Sequence, residues 1–204
     1  MMLHIFKAAA ETDYKKYRWF FTAEGTLVVG GKNEEQNELV LKHFLKPVYS
    51  VVHTSLPGSP FMIVISDDPS KKDVEEAAVF CACFSKQWKQ LKKSGEKVAI
   101  DVFKGNQLYK MKTMKAGTFG VKGTKKTLLV VPELILIFQK GKLRAVPILK
   151  KNKNYEVLAE ITPGKLTKEQ AADKIIKKIK ETYQFPISRD ELMAALPSDK
   201  VGVE

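Results

Sequence analysis

The chain has 204 residues and a formal charge of +12, enough length for one domain with a proper core and a small appendage. Its two cysteines, Cys81 and Cys83, stand two apart in an apolar helical run, so they point to different faces and exclude a disulfide clip or a zinc knuckle. Three histidines without metal-site spacing, and no apolar run long enough to cross a bilayer, point away from a metal centre and a membrane span. Met1 to Lys16 has no apolar core of signal-peptide length, which leads to the expectation of a soluble, cytoplasmic protein with no membrane partner and no cofactor.

Leu3 to Lys16 reads as a variable leader or a short edge element. Trp19 to Phe21 and Leu27 to Val29 favour a pleated surface, and Glu24-Gly25 between them supplies a hairpin turn. Gly30-Gly31 leaves bare backbone beside Lys32, and Asn33 with Gln36 predicts a capped helix burying Leu39, Val40, Phe44 and Leu45. Val48 to His53 and Phe61 to Ser66 are predicted strands around a Pro57-Gly58 loop. Ser70 and Asp73 open a second helix, whose stripe Val74, Ala77, Ala78, Cys81, Phe84, Ser85, Trp88 and Leu91 has helical spacing and stops at Gly95.

Val98 to Phe103 alternates as a strand, and residues 104–155 read as short strands joined by glycine turns, with Pro132 marking a break or an edge. Leu134 to Phe138 and Leu143 to Ile148 form a predicted hairpin, and Tyr155 to Ile161 a further strand. Pro163-Gly164 separates a C-terminal piece, where Thr167 and Gln170 cap a helix with Ala171, Ala172, Ile175, Ile176 and Ile179 on its apolar face. A short last helix starts at Ser188. The expected class is α+β: a curved, mostly antiparallel sheet with two principal helices packed on it over residues 14–161, and a short helical C-terminal extension over 162–204.

The charge is uneven. Residues 101–155 carry 13 basic and 2 acidic side chains, whereas residues 156–204 carry 8 and 9. A single-sign run in predicted strands, without interspersed acids, attracts polyanions. Lys110 and Lys112 share one face of a strand, and Lys115, Lys122, Lys125 and Lys126 gather around glycine turns, where long side chains suit phosphate contacts. Tyr109 and Phe119 interleave with them and either stack on unpaired bases or fill the core.

Other candidates admit two readings each. Trp19 stacks on a base or fills the sheet, and Arg18 pairs with Glu38 or holds a phosphate. His53 is a satisfied structural histidine or a surface contact. Ser85 bonds back to its helix or reaches toward Lys32 and His53. The glycines at 117, 120 and 123 match no nucleotide-binding loop, and no nucleophile elbow surrounds Ser55 beside His53 and Asp67, so no catalytic constellation emerges.

Five separated motifs occur in one order: Arg18-Trp19-Phe20 followed by Gly30-Gly31-Lys32 and Gln36-Asn37-Glu38; His53 before Pro57-Gly58; Ala77-Ala78; Ser85 with Trp88; and Gly117, Phe119 and Gly123. Over residues 14 to 130 the chain resembles the NFACT-R family, the RNA-binding module of larger NFACT proteins. The resemblance implies the same α+β class, a non-enzymatic role, and RNA contact through Arg18, Trp19, Lys32, Asn37, His53 and Ser85. It also implies tRNA or ribosomal RNA as the partner and a link to ribosome-associated quality control. As a stand-alone form without the other NFACT domains, the chain is expected to act with the ribosome or a partner protein, for which the helix at 167–183 offers a face. A protein-interaction adaptor or a DNA-binding module using the same basic surface is the alternative.

Overall fold

The computed structural model describes residues 14–147, 156–183 and 186–204. Six antiparallel strands form the first sheet, in the order β1 (Arg18–Phe21), β2 (Leu27–Gly30), β4 (Met62–Val64), β3 (Ser50–Thr54), β5 (Val98–Lys104) and β8 (Lys126–Val130). Alternation along these strands feeds two cores. Phe20, Val28, Val52, Met62 and Val64 face one side, where α2 (Lys71–Cys83) packs with Ala77, Ala78 and Cys81. Trp19, Val29, Val51 and Ile63 face the other, where α1 (Glu34–Phe44) packs with Val40 and Leu41. The two principal helices thus lie on opposite faces of one sheet, a division the period of two enforces.

Both helix starts follow from their capping residues. Asn33 accepts the Gln36 N–H at 2.8 Å, while the Gln36 side chain reaches back to the Lys32 N–H at 3.1 Å. Ser70 and Asp73 form a reciprocal capping box. Asp73 also accepts hydroxyls from Thr22 at 2.5 Å and Thr26 at 3.0 Å, which fastens the β1–β2 turn to the start of α2.

The second predicted helix ends earlier than its stripe suggests. It stops at Cys83, and Ser85, in extended conformation, donates to the Ala82 carbonyl at 2.8 Å and accepts the Gln87 N–H at 3.1 Å. A serine that satisfies the backbone locally competes with continuation of the helix. Trp88 therefore sits on a 3-10 turn, Lys86–Gln90, yet remains fully buried. The leader also ends in structure: Tyr14 and Tyr17 are buried against Trp19 and α1.

The α+β class is as expected, but the strands fall into two main sheets rather than one. Pro132, just after β8, has no N–H to carry the ladder across. Beyond it β10 (Lys142–Val146), β9 (Leu134–Gln139), β11 (Ala159–Leu166) and β12 (Val201–Val203) form a four-stranded antiparallel sheet. The predicted hairpin is present over Leu134–Gln139 and Lys142–Val146, with Leu143 opposite Phe138, whereas Ile148 and the lysines at 150, 151 and 153 lie outside the described residues. A third, two-stranded sheet joins β6 (Leu108–Tyr109) and β7 (Gly120–Val121). β11 runs through Pro163-Gly164 with a register irregularity between Pro163 and Leu166, so residues 161 and 162 are joined within a strand. Two further helices, α3 (Lys168–Tyr183) and α4 (Arg189–Ala195), pack on this sheet, with Ala171, Ala172, Ile175 and Ile179 buried as predicted. The Trp88 indole donates to the Asp199 carbonyl at 3.1 Å and ties this C-terminal unit to the first sheet's side. No helix among the described residues is long and apolar enough to cross a membrane.

Both cysteines are free and buried. Burial pushes the Cys81 thiol up to about 12 and that of Cys83 well above its ordinary value, as expected of inert core residues.

Glu76 on α2 is 1% exposed, and its carboxylate accepts the Ala23 N–H at 3.1 Å. Burial pushes its pKa from 4.5 up to about 7, helped by Asp73 and Glu24 against the Ala23 bond and Lys72. The folded chain holds this proton where the unfolded chain releases it. Its contribution is therefore whole below the unfolded value and is lost as pH rises through the folded one. Denaturant-derived stability should fall between about pH 5 and about pH 8, and Glu76→Gln should flatten that fall, gaining about 1–2 kcal/mol at the upper end. Parallel profiles for the two proteins would contradict this assignment.

Candidate functional site

Gly30 and Gly31 build the corner on which the site rests, and they do so by close approach. A Cβ on Gly30 would lie 2.1 Å from the Met62 sulfur, and one on Gly31 would lie 2.4 Å from Asn37 Oδ1 and 2.5 Å from the Asn37 nitrogen. Asn37 Oδ1 in turn accepts the Phe61 N–H at 3.3 Å. One side chain therefore joins α1, the β2–α1 turn and the approach to β4. The bare backbone of Gly31 is thus the packing condition for seating α1, while that of Gly30 makes room for Met62 on the opposite, α2 face of the sheet.

Beside this corner runs a cleft made of two adjoining cavities. The larger, about 790 Å³, lies between the β2–α1 turn with Lys32 and the 3-10 turn with Lys86 and Lys89; Arg18, Ser85 and Ser198 also line it. The second, about 460 Å³, continues past His53, Phe119, Asp101 and Lys125. Glu34, Asn37, Ser59 and Lys86 belong to both walls, so the two form one groove. Its floor is held by the loop after β3. Thr54 N–H bonds the Ser59 hydroxyl at 3.0 Å, and the Lys86 N–H bonds the Gly58 carbonyl at 2.8 Å, which draws the two walls together. Gly58 has φ +109, and a Cβ there would press 2.7 Å from the Lys86 side chain.

The residues singled out from the sequence separate into groups. Arg18, Lys32, Asn37, His53, Ser85 and Lys125 all line this groove although they span more than a hundred positions. Three of them have their polar atoms engaged inside the protein. Asn37 is spent on Phe61, Ser85 on Ala82 and Gln87, and the Lys125 ammonium on Asp101 at 2.5 Å. Trp19 is not part of the wall. It is 1% exposed, with the Tyr14 ring at 5.0 Å and the Arg144 guanidinium 3.7 Å from its centroid, so no face of the indole is open for a base. Its reading as a core residue is the one the fold adopts.

His53 is half-buried. Its Nδ1–H donates to the Thr54 carbonyl at 2.7 Å, and its ring lies 4.5 Å from that of Phe61. Burial lowers its pKa, with the Thr54 carbonyl and Asp101 opposing and Lys125 assisting; the imidazole is neutral at pH 7. Ser55 donates to Asp101 at 2.7 Å, and Asp67 pairs with Lys46 at 3.9 Å, so the Ser55–His53–Asp67 grouping does not assemble. Burial alone would raise the Asp101 carboxyl, but Lys125, Ser55 and Thr127 outweigh it and hold it below its ordinary value.

Of the remaining lysines, Lys110 pairs with Glu38 and lies over the Phe119 ring at 4.8 Å, while Lys122 lies over Tyr109 at 5.3 Å. Arg18 does not pair with Glu38; its guanidinium stacks on Phe84 at 4.1 Å. Lys112 and Lys115 are exposed in the loop between β6 and β7, whereas Lys126, opposite Val102 in β5, points to the α2 side of the sheet and away from the groove. Lys86 and Lys89, which sequence reasoning passed over, stand at the centre. In the sequence they flank Trp88, whose place in an apolar stripe of helical spacing is the stronger pattern.

The model of the family described as "NFACT protein RNA binding domain" matches residues 16–123, more than half of the chain. The ribosome quality control complex subunit NEMF of Mus musculus is 28% identical over 78 residues, 37% of this chain and 7% of that protein. Its Drosophila melanogaster homolog is 30% identical over 88 residues, 42% and 9% respectively. The archaeal Rqc2 homolog aRqcH of Methanocaldococcus jannaschii is 30% identical over 78 residues, 37% and 12%. The chain thus spans about a tenth of the length of the curated relatives it matches. Among solved structures, the C-terminal part of the fibronectin/fibrinogen-binding protein of Streptococcus suis superposes with a TM-score of 0.50 at 29% identity, over 57% of this chain and 45% of that one.

Because a Cβ at Gly31 meets the Asn37 backbone rather than a flexible tip, Gly31→Ala should destabilise the fold by about 1–3 kcal/mol, read by urea denaturation. Full stability in that variant would mean that the α1 seat is not sterically set.

Proposed function

The chain belongs to the NFACT protein RNA binding domain family, and we propose that it is a non-catalytic module that holds a structured RNA by its phosphates along the groove between the β2–α1 turn and the Lys86–Gln90 turn. The observation that carries this reading is that cations face one another across the two walls of a single groove. Lys32 lines one side of the groove and Lys86 and Lys89 the other, and exposed Lys115 adjoins Ala116 of the lining, with Lys112 and Lys122 exposed on the same β6–β7 segment. Flexible ammonium groups at successive points of a groove suit a phosphate backbone. His53 and Phe119 in the same wall offer neutral ring surface for an unpaired base.

tRNA or ribosomal RNA is the RNA class we assign. The ribosome quality control names of the relatives favour a cytoplasmic role beside the ribosome or a partner protein in that process. Lys110 and Lys125, each already paired with a carboxylate, contribute less to RNA than the unpaired lysines.

Titration against tRNA, duplex DNA and heparin over a salt series tests this. About six phosphate contacts give a log–log slope of roughly −4 to −5. The double variant Lys86→Glu, Lys89→Glu should weaken tRNA binding about tenfold or more with its melting temperature retained. Salt-independent binding, or unchanged affinity in that variant, would contradict the reading; duplex DNA bound more tightly than tRNA would favour the DNA-binding alternative.

A further inference from the structure

The groove does not end at Arg18 and Lys32. Both also line a third cavity, about 210 Å³, whose far side is β10 and α4 of the C-terminal unit. Five cations border it, Lys15, Arg18, Lys32, Lys142 and Arg144, against one carboxylate, Glu191. That carboxylate accepts the Leu143 N–H at 3.0 Å. Arg18 and Arg144 are each fixed by a ring, Phe84 at 4.1 Å and Trp19 at 3.7 Å. Stacking of this kind occupies the face of a guanidinium and leaves its N–H fork available for an oxyanion.

Two buried donors meet here without an acceptor among the described residues: Arg144 Nε and, beneath it, Trp19 Nε1. Unmet donors in a polar recess are expensive unless a ligand supplies oxygens. The cations also oppose each other. Burial first, then Arg18 and Arg144, lowers the Lys32 ammonium from its ordinary pKa, and burial brings both arginines down to about 10, still charged at neutral pH. An anion seated among them would relieve that repulsion.

We propose that Arg18, Lys32 and Arg144 form a phosphate-binding site at the junction of the two main sheets, where a phosphodiester of the bound RNA is gripped. Arg144 lies beyond residues 16–123, so the C-terminal unit contributes to the polyanion path and does more than cover the core. The assignment of RNA as the source of the phosphate rests on the groove reading above; the site itself does not.

Two measurements separate these. In the first, thermal melting is followed with inorganic pyrophosphate against sodium chloride at equal ionic strength. The wild-type chain should gain several degrees from pyrophosphate, and the gain should fall by at least half in Lys32→Gln and in Arg144→Gln. Reading the gain rather than the melting point keeps the result independent of any stability lost when Arg144 leaves Trp19. No gain in the wild type, or an equal gain in both variants, overturns the site whatever RNA does. In the second, the combined variant Lys32→Gln, Arg144→Gln should bind tRNA about tenfold more weakly, with a salt slope shallower by roughly 1.5–2. A site confirmed by pyrophosphate with tRNA affinity and slope unchanged overturns RNA as its occupant. A wild-type chain that binds no RNA refutes the groove reading and RNA as the occupant together, and the first measurement still decides the site.

Discussion

Everything on the groove side of the molecule depends on how closely α1 is allowed to approach β2. Gly31, without a side chain, lets Asn37 of α1 come within distances that any Cβ would forbid, and Gly30 does the same for Met62 on the α2 face of the sheet. Asn37 then uses the contact to satisfy the Phe61 N–H. Helix, turn and strand become one rigid corner, and Lys32 and Glu34 project from it along the groove. The opposite wall is drawn in by the bond from Lys86 N–H to Gly58 carbonyl, and anchored from below by the buried Trp88. Backbone contacts hold the groove from both sides, an arrangement that limits the ordering cost of binding there.

Charge is used in two different ways. Part of the basic run near β8 is neutralised internally: Lys125 completes the Asp101 network, and Lys110 closes onto Glu38. These pairs join the β6–β7 loop and β8 to the rest of the molecule. The cations left for an external anion come from separate segments: Lys32 from the turn after β2, Lys86 and Lys89 from the 3-10 turn, Arg18 from β1 and Arg144 from β10. Only Arg144 belongs to the strongly basic stretch 101–155.

Local chemistry made much of the fold legible. The hairpin at 18–30, the caps at Asn33, Ser70, Thr167 and Ser188, and the alternating strands at 50–54 and 98–104 are all decided within a few residues, where capping and periodicity operate. The end of α2 was not legible, because a stripe with helical spacing runs on through Trp88 while Ser85 diverts the backbone. Nor was the division into two sheets, since Pro132 indicates a break but not the plane in which the next strand pairs. At the site, the motif residues were visible one by one. Their roles were not, because whether a tryptophan or an asparagine faces solvent depends on partners far along the chain, such as Arg144 over Trp19. Lys86 and Lys89 carried no pattern of their own, and the 3-10 turn alone brings them to the groove.

The proposed function puts the polynucleotide in the groove and not on the rest of the basic surface. Hydrogen exchange with and without bound tRNA tests this most directly. Protection should concentrate in residues 31–37, 57–60, 84–89 and 116–119, with the outer face of α3 unchanged. Protection confined to α3, or spread evenly over every lysine-rich surface, would contradict it.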